Sequence, residues 1–366
     1  MHRDSFAVST AVMYDFLQVK GGAEAVTLDL CKHFSNMDLI TGWVNKTCFE
    51  SLPIEPSRVT ELTTSTAIPG WQTIKCAQTF LKSCPDLSRY ESVIYSGSNA
   101  PLAILNTKAK KNIYYCHTPP RFVYDLRDYY LESIPVWQRP ALKMLIDWFR
   151  PKYEQSLERM DVILCNSKNV QQRLHKFLNV EAEVVYPPVN VARFKHLSDG
   201  DYFLSTARLE PYKRVETIVR AFMAIPDKKL VVTSGGSQEG FLRNLAKDYS
   251  NISFTGWVTE QELARLVGDC LATIYIPKDE DFGMSPVESM GAGKPVIGVN
   301  EGGIRETVID GMTGWLLDKE VNPNALVRLV SNICSDGVRN MKNHCLESSE
   351  SFAVEKFITA IKHQLD

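Results

Sequence analysis

The sequence predicts an α/β protein built from two doubly wound, Rossmann-like domains that face a cleft. Short β-branched or aromatic runs alternate with amphipathic segments along the chain, and this alternation occurs twice. A proline-rich, polar stretch separates the two series. With 366 residues, the chain is too long for one typical core and suits two domains.

The predicted strands are short apolar runs. Several are apolar on both faces, as expected for parallel strands that helices cover on both sides. In the first half they lie at 6–14, 92–97, 112–117 and 161–167. In the second half they lie at 202–208, 229–235, 252–258, 272–277 and 295–299. Amphipathic helices are predicted between them, for example at 213–225 and 259–270.

The domain boundary is predicted within residues 186–201. Pro187 and Pro188 interrupt regular backbone hydrogen bonding, and a Ser-Asp-Gly-Asp run precedes the next strand. We expect a first domain at 1–190 and a second at 198–350. Ligands of such folds bind at the carboxyl ends of the strands, so we expect the site in the cleft.

The composition is that of an ordinary globular protein, with 44% apolar residues and a net charge of −2. This near-neutral balance predicts no nucleic-acid partner. The start of the chain lacks a secretion signal, and no window is apolar over the roughly 18 residues that span a bilayer. Nine scattered cysteines favour a reducing compartment. We therefore expect a cytoplasmic protein, and a slightly basic first half suits peripheral contact with the inner face of a membrane.

Residues 278–296, KDEDFGMSPVESMGAGKPV, carry two acidic side chains, Glu280 and Glu288. The run from Ser285 to Glu288 fits a helix capping box, in which the serine is the N-cap and the glutamate reaches back to it. That interpretation leaves Glu280 and the intervening Phe-Gly turn unexplained. Two carboxylates beside a glycine turn also suit a polyhydroxylated ligand, because each accepts several hydroxyl hydrogen bonds. The residues alone leave both interpretations open.

Two cations lie within residues 205–219, STARLEPYKRVETIV. Arg208 ends a predicted strand and Lys213 opens a predicted helix, so both would project from one rim of the sheet. Together they would neutralise a diphosphate, and the guanidinium fork matches phosphate oxygens. A solvated helix start is the alternative, and Arg214 takes the place of Lys213 if the helix is rotated by one residue.

In the first half, Gly21 and Gly22 lie between a strand and an amphipathic helix, where backbone N–H groups can bind a phosphate. A simple tight turn explains them equally well. The loop lacks the Gly-x-Gly-x-x-Gly fingerprint, which argues against a dinucleotide dehydrogenase. His117 closes another predicted strand at its carboxyl end and would point into the cleft, although a lone histidine is more often structural.

Residues 121–153 are rich in tyrosine, tryptophan and arginine. Such side chains often contact sugars, and Arg121, Tyr124 and Asp125 are candidate contacts of an acceptor. An amphipathic helix pair that covers the core explains the segment as well. Contact with a membrane surface is a further alternative.

The stretch EDFGMSPVESMGAGKPVI and the following EGGIRETVIDGMTGWLL at 301–317 resemble the signature of the family-4 retaining glycosyltransferases of GT-B fold. The resemblance implies transfer of a sugar from a GDP- or UDP-linked donor to a lipid-linked or oligosaccharide acceptor, without a metal or a cofactor. It also implies that Glu288 binds the ribose hydroxyls. The donor sugar would be held by the first acid and the turn that follows it: Glu280, Phe282, Gly283 and Met284.

Further roles follow from the same resemblance. Arg208 and Lys213 match the Arg-x-x-x-x-Lys phosphate clamp of these enzymes, and the nucleotide would bind mainly to the second domain, with Trp257 and Val258 beside the base. His117 aligns with the histidine that lies beside the donor sugar. If the family mechanism holds, the configuration is retained by front-face attack, and the leaving phosphate accepts the proton of the acceptor.

The resemblance extends to both ends of the chain. Gly21 and Gly22 would form the glycine loop that faces the donor from the first domain. A C-terminal helix at about 351–366 would pack back on that domain, as in relatives. The usual His-Asp-Trp sequence before the loop is Tyr14-Asp15-Phe16 here, so any role of that histidine is absent.

Asp281 is a second departure, because the commonest form of the motif has glycine there. The Glu-Asp-Phe-Gly variant resembles that of O-antigen mannosyltransferases, which favours GDP-mannose as the donor and surface-polysaccharide synthesis as the pathway. Two other classes of protein compete with this interpretation. One is a nucleotide-sugar epimerase of similar fold, and the other is a silent nucleotide-sugar-binding subunit.

Overall fold

The computed structural model describes residues 9–19, 21–65 and 71–366. It divides the chain into two compact units. Unit 1 contains the residues up to Tyr186 together with Phe357–Asp366, and unit 2 contains Pro187–Lys356. The second unit is therefore one continuous segment, whereas the first contains two.

The described part of unit 1 forms a parallel sheet of seven strands in the order β3-β2-β1-β4-β5-β6-β7. Predicted strand 6–14 begins at residues that lie outside the described ranges, and its described part is β1. The strands are β1 Thr10–Tyr14, β2 Met37–Thr41, β3 Val59–Glu61, β4 Ser92–Ser96, β5 Lys111–Cys116, β6 Val162–Cys165 and β7 Glu183–Val184. The helices are α1 Gly22–His33, α2 Trp71–Lys82, α3 Arg127–Glu132, α4 Arg139–Leu157 and α5 Lys168–Leu178.

Both faces of this sheet are buried. Met13 on β1 packs into one hydrophobic cluster with Phe80 of α2 and Phe149 of α4. Its neighbour Val12 faces the other way, into a cluster with Leu30 of α1 and with Phe357 of the C-terminal helix, Val354–Leu365. Because successive strand residues point to opposite faces, this alternation requires apolar residues at consecutive positions.

Unit 2 has a parallel six-stranded sheet in the order β10-β9-β8-β11-β12-β13. The strands are β8 Tyr202–Ser205, β9 Lys229–Thr233, β10 Ile252–Gly256, β11 Ala272–Ile274, β12 Val296–Val299 and β13 Gly314–Leu317. The helices are α6 Val215–Met223, α7 Glu239–Leu245, α8 Glu260–Asp269, α9 Met284–Gly291, α10 Ile304–Thr307, α11 Pro323–Asn332 and α12 Ser335–Ser349. The predicted doubly wound α/β class is confirmed.

In each unit, the order of the strands reverses next to the first strand. In unit 1 the reversal lies between β1 and β4, and in unit 2 it lies between β8 and β11. At such a point the loops that follow the two strands leave the sheet in opposite directions, and a crevice remains between them. The loops after β8 and β11 therefore position the site of unit 2.

Candidate active site

A buried cluster of polar side chains lies at the crevice of unit 2. The ammonium of Lys213, from the loop after β8, donates hydrogen bonds to Glu280 Oε2 at 2.6 Å and to the Tyr275 hydroxyl at 3.2 Å. The Tyr275 hydroxyl in turn donates to Glu280 Oε1 at 3.1 Å. Lys213 is only 7% exposed. The alternative of a solvated helix start is therefore wrong for Lys213, which ends a short 3₁₀ turn before α6.

Charge pairing keeps Lys213 protonated. Burial alone lowers the pKa of a lysine, but the carboxylate of Glu280 and the hydroxyl of Tyr275 outweigh burial and raise the Lys213 pKa above its ordinary value. Burial and the charge of Glu280 also raise the pKa of Tyr275, so its hydroxyl stays neutral. The cluster consequently carries a fixed ammonium and a neutral hydroxyl on one carboxylate.

Arg208 lies in the same loop as Lys213 but in a different environment. Its side chain is exposed, and Nη2 lies 3.4 Å from the hydroxyl of Tyr212. The loop thus carries one cation that faces solvent and one that pairs inward. An exposed guanidinium in the loop that also carries Lys213 is suited to bind an anion that arrives from solvent.

Glu301, which follows β12, holds the two loops in place. Its carboxylate accepts the backbone N–H of Asp279 at 3.0 Å and Nη1 of Arg214 at 3.1 Å. Both partners have left-handed backbones, with φ of 47° at Asp279 and 55° at Arg214. Such angles cost roughly 1–2 kcal/mol at residues other than glycine, so these bonds offset strain at the site. The next residue, Gly302, has no room for a side chain, because a Cβ would lie 2.5 Å from the carbonyl oxygen of Glu280.

The capping-box prediction is wrong. Helix α9 begins at Met284 with Gly283 as its N-cap, so Ser285 lies inside the first turn and Glu288 lies in the second. Gly283 has a φ of 88°, which glycine adopts easily, and this conformation starts the helix before the serine. Phe282 anchors the turn, because its buried ring lies 5.4 Å from that of Phe352. The Glu288 carboxylate is consequently not used as a cap.

Glu288 lies against an arginine from the segment that enters unit 2. Arg193 Nη2 lies 3.5 Å from Glu288 Oε1, and Arg193 Nη1 donates to Glu260 at 2.9 Å. Burial raises the pKa of Glu288, Arg193 lowers it, and Glu260 raises it again. Trp257 and Val258 follow β10, shortly before Glu260, and the Trp257 ring is exposed. Arg193 thus connects the segment that carries Trp257 to the helix that carries Glu288.

In unit 1, His117 immediately follows β5. Its Nε2 lies 2.8 Å from the hydroxyl of Ser96, the last residue of the neighbouring strand β4. The ring of Tyr115 packs edge-on against the imidazole at 5.2 Å. Burial lowers the pKa of His117 to about 4, so the imidazole is neutral at physiological pH. It can exchange a hydrogen bond there but carries no charge.

Asp15 occupies the middle of the Tyr14-Asp15-Phe16 departure and fixes the loop after β4. Its buried carboxylate accepts hydrogen bonds from the backbone N–H groups of Ser98, Asn99 and Ala100 and from the side-chain amide of Asn99. Gly97 precedes these residues with a φ of 101°, and a Cβ there would lie 2.6 Å from the carboxylate. Asp15 therefore has a structural role at the reversal of the sheet in unit 1.

Two family sequence models match the chain. The model described as "Glycosyltransferase Family 4" covers residues 20–193, and that described as "Glycosyl transferases group 1" covers residues 190–351. The chain belongs to the family-4 glycosyltransferases of GT-B fold. The resemblance predicted from the glutamate motif is thus confirmed.

Individual proteins agree with this assignment. The alpha-1,3/1,6-mannosyltransferase ALG2 of Dictyostelium discoideum is 28% identical over 67% of this chain and 68% of that protein. The serotype-specific mannosyltransferase WbdA of Escherichia coli is 25% identical over 56% of this chain and only 29% of that protein. The crystal structure of HepE from Anabaena in complex with UDP-glucose has a TM-score of 0.75 at 16% identity, covering 97% of this chain and 99% of that one. At such identity the structure shows the shared fold alone.

The glycine loop of this glycosyltransferase leads into α1. The helix begins at Gly22, and Gly21 precedes it with extended backbone, while Lys20 lies outside the described residues. A Cβ on Gly21 would meet only the carboxylate tip of Glu24, which can move. Backbone conformation therefore does not require a glycine at position 21, and the phosphate-facing role of the pair stays a prediction.

The three candidate acceptor residues of the glycosyltransferase have partners inside unit 1. Asp125 pairs with Arg121 at 2.7 Å and lies 3.8 Å from Arg173 of α5. The hydroxyl of Tyr124 donates to Glu154 of α4 at 3.3 Å. These contacts tie the segment after β5 to the helices that cover the core, and an acceptor role for the three residues stays a prediction.

Sequence reasoning missed Tyr275, Glu301 and Arg193. Tyr275 directly follows β11, a position that often carries functional side chains in such sheets. Glu301 likewise lies just after β12, inside a stretch that was matched only for its glycines. Arg193 gave no such signal, because it lies in the segment interpreted as a domain boundary.

Proposed function

We propose that this protein transfers a hexose from a nucleotide diphosphate sugar to a lipid-linked or oligosaccharide acceptor. The arrangement of Arg208, Lys213 and Glu280 at the crevice of unit 2 is the observation that carries the proposal. Arg208 would bind the diphosphate from solvent. An ammonium has three donors, Glu280 and Tyr275 take two, and the third would serve a phosphate oxygen.

The proposed reaction needs no protein nucleophile and no metal. The bond between the anomeric carbon and the diphosphate oxygen breaks, and a bond from the acceptor oxygen to that carbon forms on the same face, with retention. The acceptor proton passes to the leaving diphosphate. Negative charge grows on this group as the bond breaks, and fixed cations at Arg208 and Lys213 stabilise it most in the transition state.

The remaining donor contacts are assigned to the segment around α9. Glu280 accepts hydroxyls of the donor sugar, and the turn of Phe282, Gly283 and Met284 lies beside it, where the N–H groups at the start of α9 favour polar oxygens. Glu288 accepts the ribose hydroxyls. Neither role conflicts with a helix cap, because the cap of α9 is a glycine.

Mannose from GDP-mannose is the donor we favour. Asp281 in the Glu-Asp-Phe-Gly variant and the two mannosyltransferase relatives support this choice. The serotype-specific relative also supports a role in surface-polysaccharide synthesis. A GDP-sugar and a UDP-sugar share the ribose and the diphosphate, so the choice between them depends on the base.

Thermal unfolding of the full chain with GDP, UDP and dTDP tests the donor. A ligand at about a thousand times its Kd stabilises by about 4 kcal/mol, and we expect GDP to give the largest shift in Tm. A larger shift with UDP would overturn the mannose donor but not the transferase. If none of the three nucleotides raises Tm, nucleotide-sugar transfer is overturned. Incubation with GDP-mannose alone, analysed for an epimer, distinguishes the epimerase.

We also propose that unit 1 contacts an anionic membrane through the apolar-basic surface, defined as residues 135–144. Trp137 is 78% exposed, and Val136 and Met144 are each 71% exposed. The basic residues Arg139 and Lys143 lie among them, and residues 133–146 contain no acidic side chain. Tryptophan and basic side chains around an apolar patch match the interface of an anionic bilayer. Within the described ranges, no helix is both long and apolar enough to cross a bilayer.

Vesicle sedimentation tests whether the apolar-basic surface binds membranes. We expect the protein to bind vesicles that contain phosphatidylglycerol more strongly than vesicles of phosphatidylcholine alone. Replacing Trp137 and Met144 by serine should lower this binding about tenfold, since the patch loses most of its apolar area. Phe241→Ser, an exposed phenylalanine of unit 2, is the matched control. Equal binding of the double variant and the unmodified protein would contradict the proposal.

A further inference from the structure

Arg193 bridges two carboxylates that lie on different helices. It ends the short turn Val191–Arg193 at the start of unit 2. Nη1 lies 2.9 Å from Glu260, the first residue of α8, and Nη2 lies 3.5 Å from Glu288 in α9. Nη1 and Nη2 belong to one rigid guanidinium, so the position of the Glu260 carboxylate constrains that of Glu288.

The packing around Arg193 fixes this position. The guanidinium lies 4.7 Å from the ring centre of Phe194, whose side chain is buried in a core cluster with Leu204 and Leu266. An arginine on such a ring loses few further conformations when it forms a hydrogen bond. Arg193 therefore places a positive charge beside Glu288 before any ligand arrives.

Glu288 depends on that charge to act as an acceptor of hydrogen bonds. Its side chain is only 18% exposed, and burial disfavours the ionised form. The neighbouring Glu260 disfavours it further, and Arg193 opposes both effects. An ionised carboxylate accepts at both oxygens, which two adjacent hydroxyls of a ribose require. Each carboxylate oxygen can accept two hydrogen bonds, so the contact from Arg193 to Oε1 still leaves positions on both oxygens for such a ligand.

We propose that Arg193 is a positioning residue that orients and charges Glu288 for the ribose hydroxyls of the nucleotide. The inference rests on the proposed function, because it takes the ligand of Glu288 to be a ribose. Through Glu260, Arg193 also ties this carboxylate to the start of α8, close to Trp257. Arg193 thereby fixes the position of Glu288 relative to the segment that would contact the base.

Binding of a nucleotide with and without ribose hydroxyls isolates this role. The probes are GDP and 2′,3′-dideoxy-GDP, or the corresponding UDP pair if UDP gives the larger thermal shift. Titration calorimetry on the full chain should show that Arg193→Gln weakens GDP about tenfold, as expected for a lost charged hydrogen bond, and leaves dideoxy-GDP unchanged. Arg193→Lys should recover part of the loss, because it restores the charge without the fork.

Two further variants make the result decisive. Arg220→Gln is the matched control: it removes an exposed arginine of unit 2 that pairs with Glu216 within α6, and should change the affinity for either nucleotide less than twofold. Glu288→Gln should weaken GDP and spare dideoxy-GDP. If Glu288→Gln weakens the binding of GDP but not that of dideoxy-GDP, and Arg193→Gln shows no such difference, only the proposed role of Arg193 is overturned. If Glu288→Gln itself fails to discriminate, the ribose assignment is overturned and the role of Arg193 with it.

Equal weakening of both nucleotides by Arg193→Gln would also count against the inference, because it would indicate a general disturbance of unit 2. The thermal unfolding curve of each variant, recorded without ligand, shows whether such a disturbance exists. Arg193→Lys then serves as the second test, since it keeps the cation and the stem over Phe194.

Discussion

Replacing Lys213 by methionine should abolish glycosyl transfer and lower the free energy of unfolding by about 3 kcal/mol. Methionine fills a similar volume, but it leaves the carboxylate of Glu280 buried without its ammonium. Removal of one partner from a buried ion pair typically costs about 3–5 kcal/mol, and the partners here are slightly exposed, which favours the lower value. Urea unfolding followed by tryptophan fluorescence measures the loss.

A double variant separates the pair from its surroundings. Glu280→Gln alone should also destabilise, because Lys213 then lacks its counter-charge. Lys213→Met together with Glu280→Gln should cost about 1–3 kcal/mol less than the sum of the two, since neither charge remains buried alone. Lys229→Met is the matched control, because Lys229 pairs with Asp201 on the surface and should cost less than 1 kcal/mol. Strict additivity of the two buried variants would contradict the pairing.

Arg208→Ala should lower kcat by about 10²–10³-fold without a change in Tm. The side chain is exposed and its described contact is the hydroxyl of Tyr212, so the fold loses little with it. The reaction loses a fixed cation at the group on which charge develops, and such losses reach about 3–4 kcal/mol in the transition state. Turnover of GDP-mannose with a saturating acceptor measures the effect.

The matched control for this variant is Arg220→Ala. Arg220 is an exposed arginine of the same unit that pairs with Glu216 one helical turn away, and its loss should leave kcat within about twofold. Near-normal turnover by Arg208→Ala would remove Arg208 from the phosphate site. A fall in Tm equal to that of Lys213→Met would instead indicate that Arg208 stabilises the loop.

Most strands were predictable, including the edge strand β10, whereas β2, β3, β7 and β13 were not. Strands β1, β4 and β5 are buried on both faces, and this burial leaves a continuous apolar run in the sequence. Strand β2 contains Asp38, which pairs with Arg58 and accepts a hydrogen bond from Tyr90, and no residue of β3 is fully buried. The side chains of these strands contact residues that are distant in sequence, so a local sequence pattern does not reveal the strands.

The sequence predicted candidate residues of the site but not their contacts. Spacing and resemblance indicated Arg208, Lys213 and Glu280 as candidates, and the structure brings Lys213 and Glu280 into contact. They did not show that the ammonium of Lys213 turns inward to Glu280, because that direction depends on which two loops the sheet brings together. The capping box failed for the opposite reason. Ser285 and Glu288 satisfied a local rule, and a single left-handed glycine one residue before the helix overrode it.

The return of the C-terminal helix to unit 1 has a consequence for synthesis on the ribosome. Residues of unit 2 all emerge before Phe357 and Ile361, which complete one hydrophobic face of unit 1. The nascent chain can thus close the core of its second unit while the first still lacks a side of its own. If each unit folds as a whole, unit 2 would then complete its core before unit 1, although most of unit 1 is synthesised first.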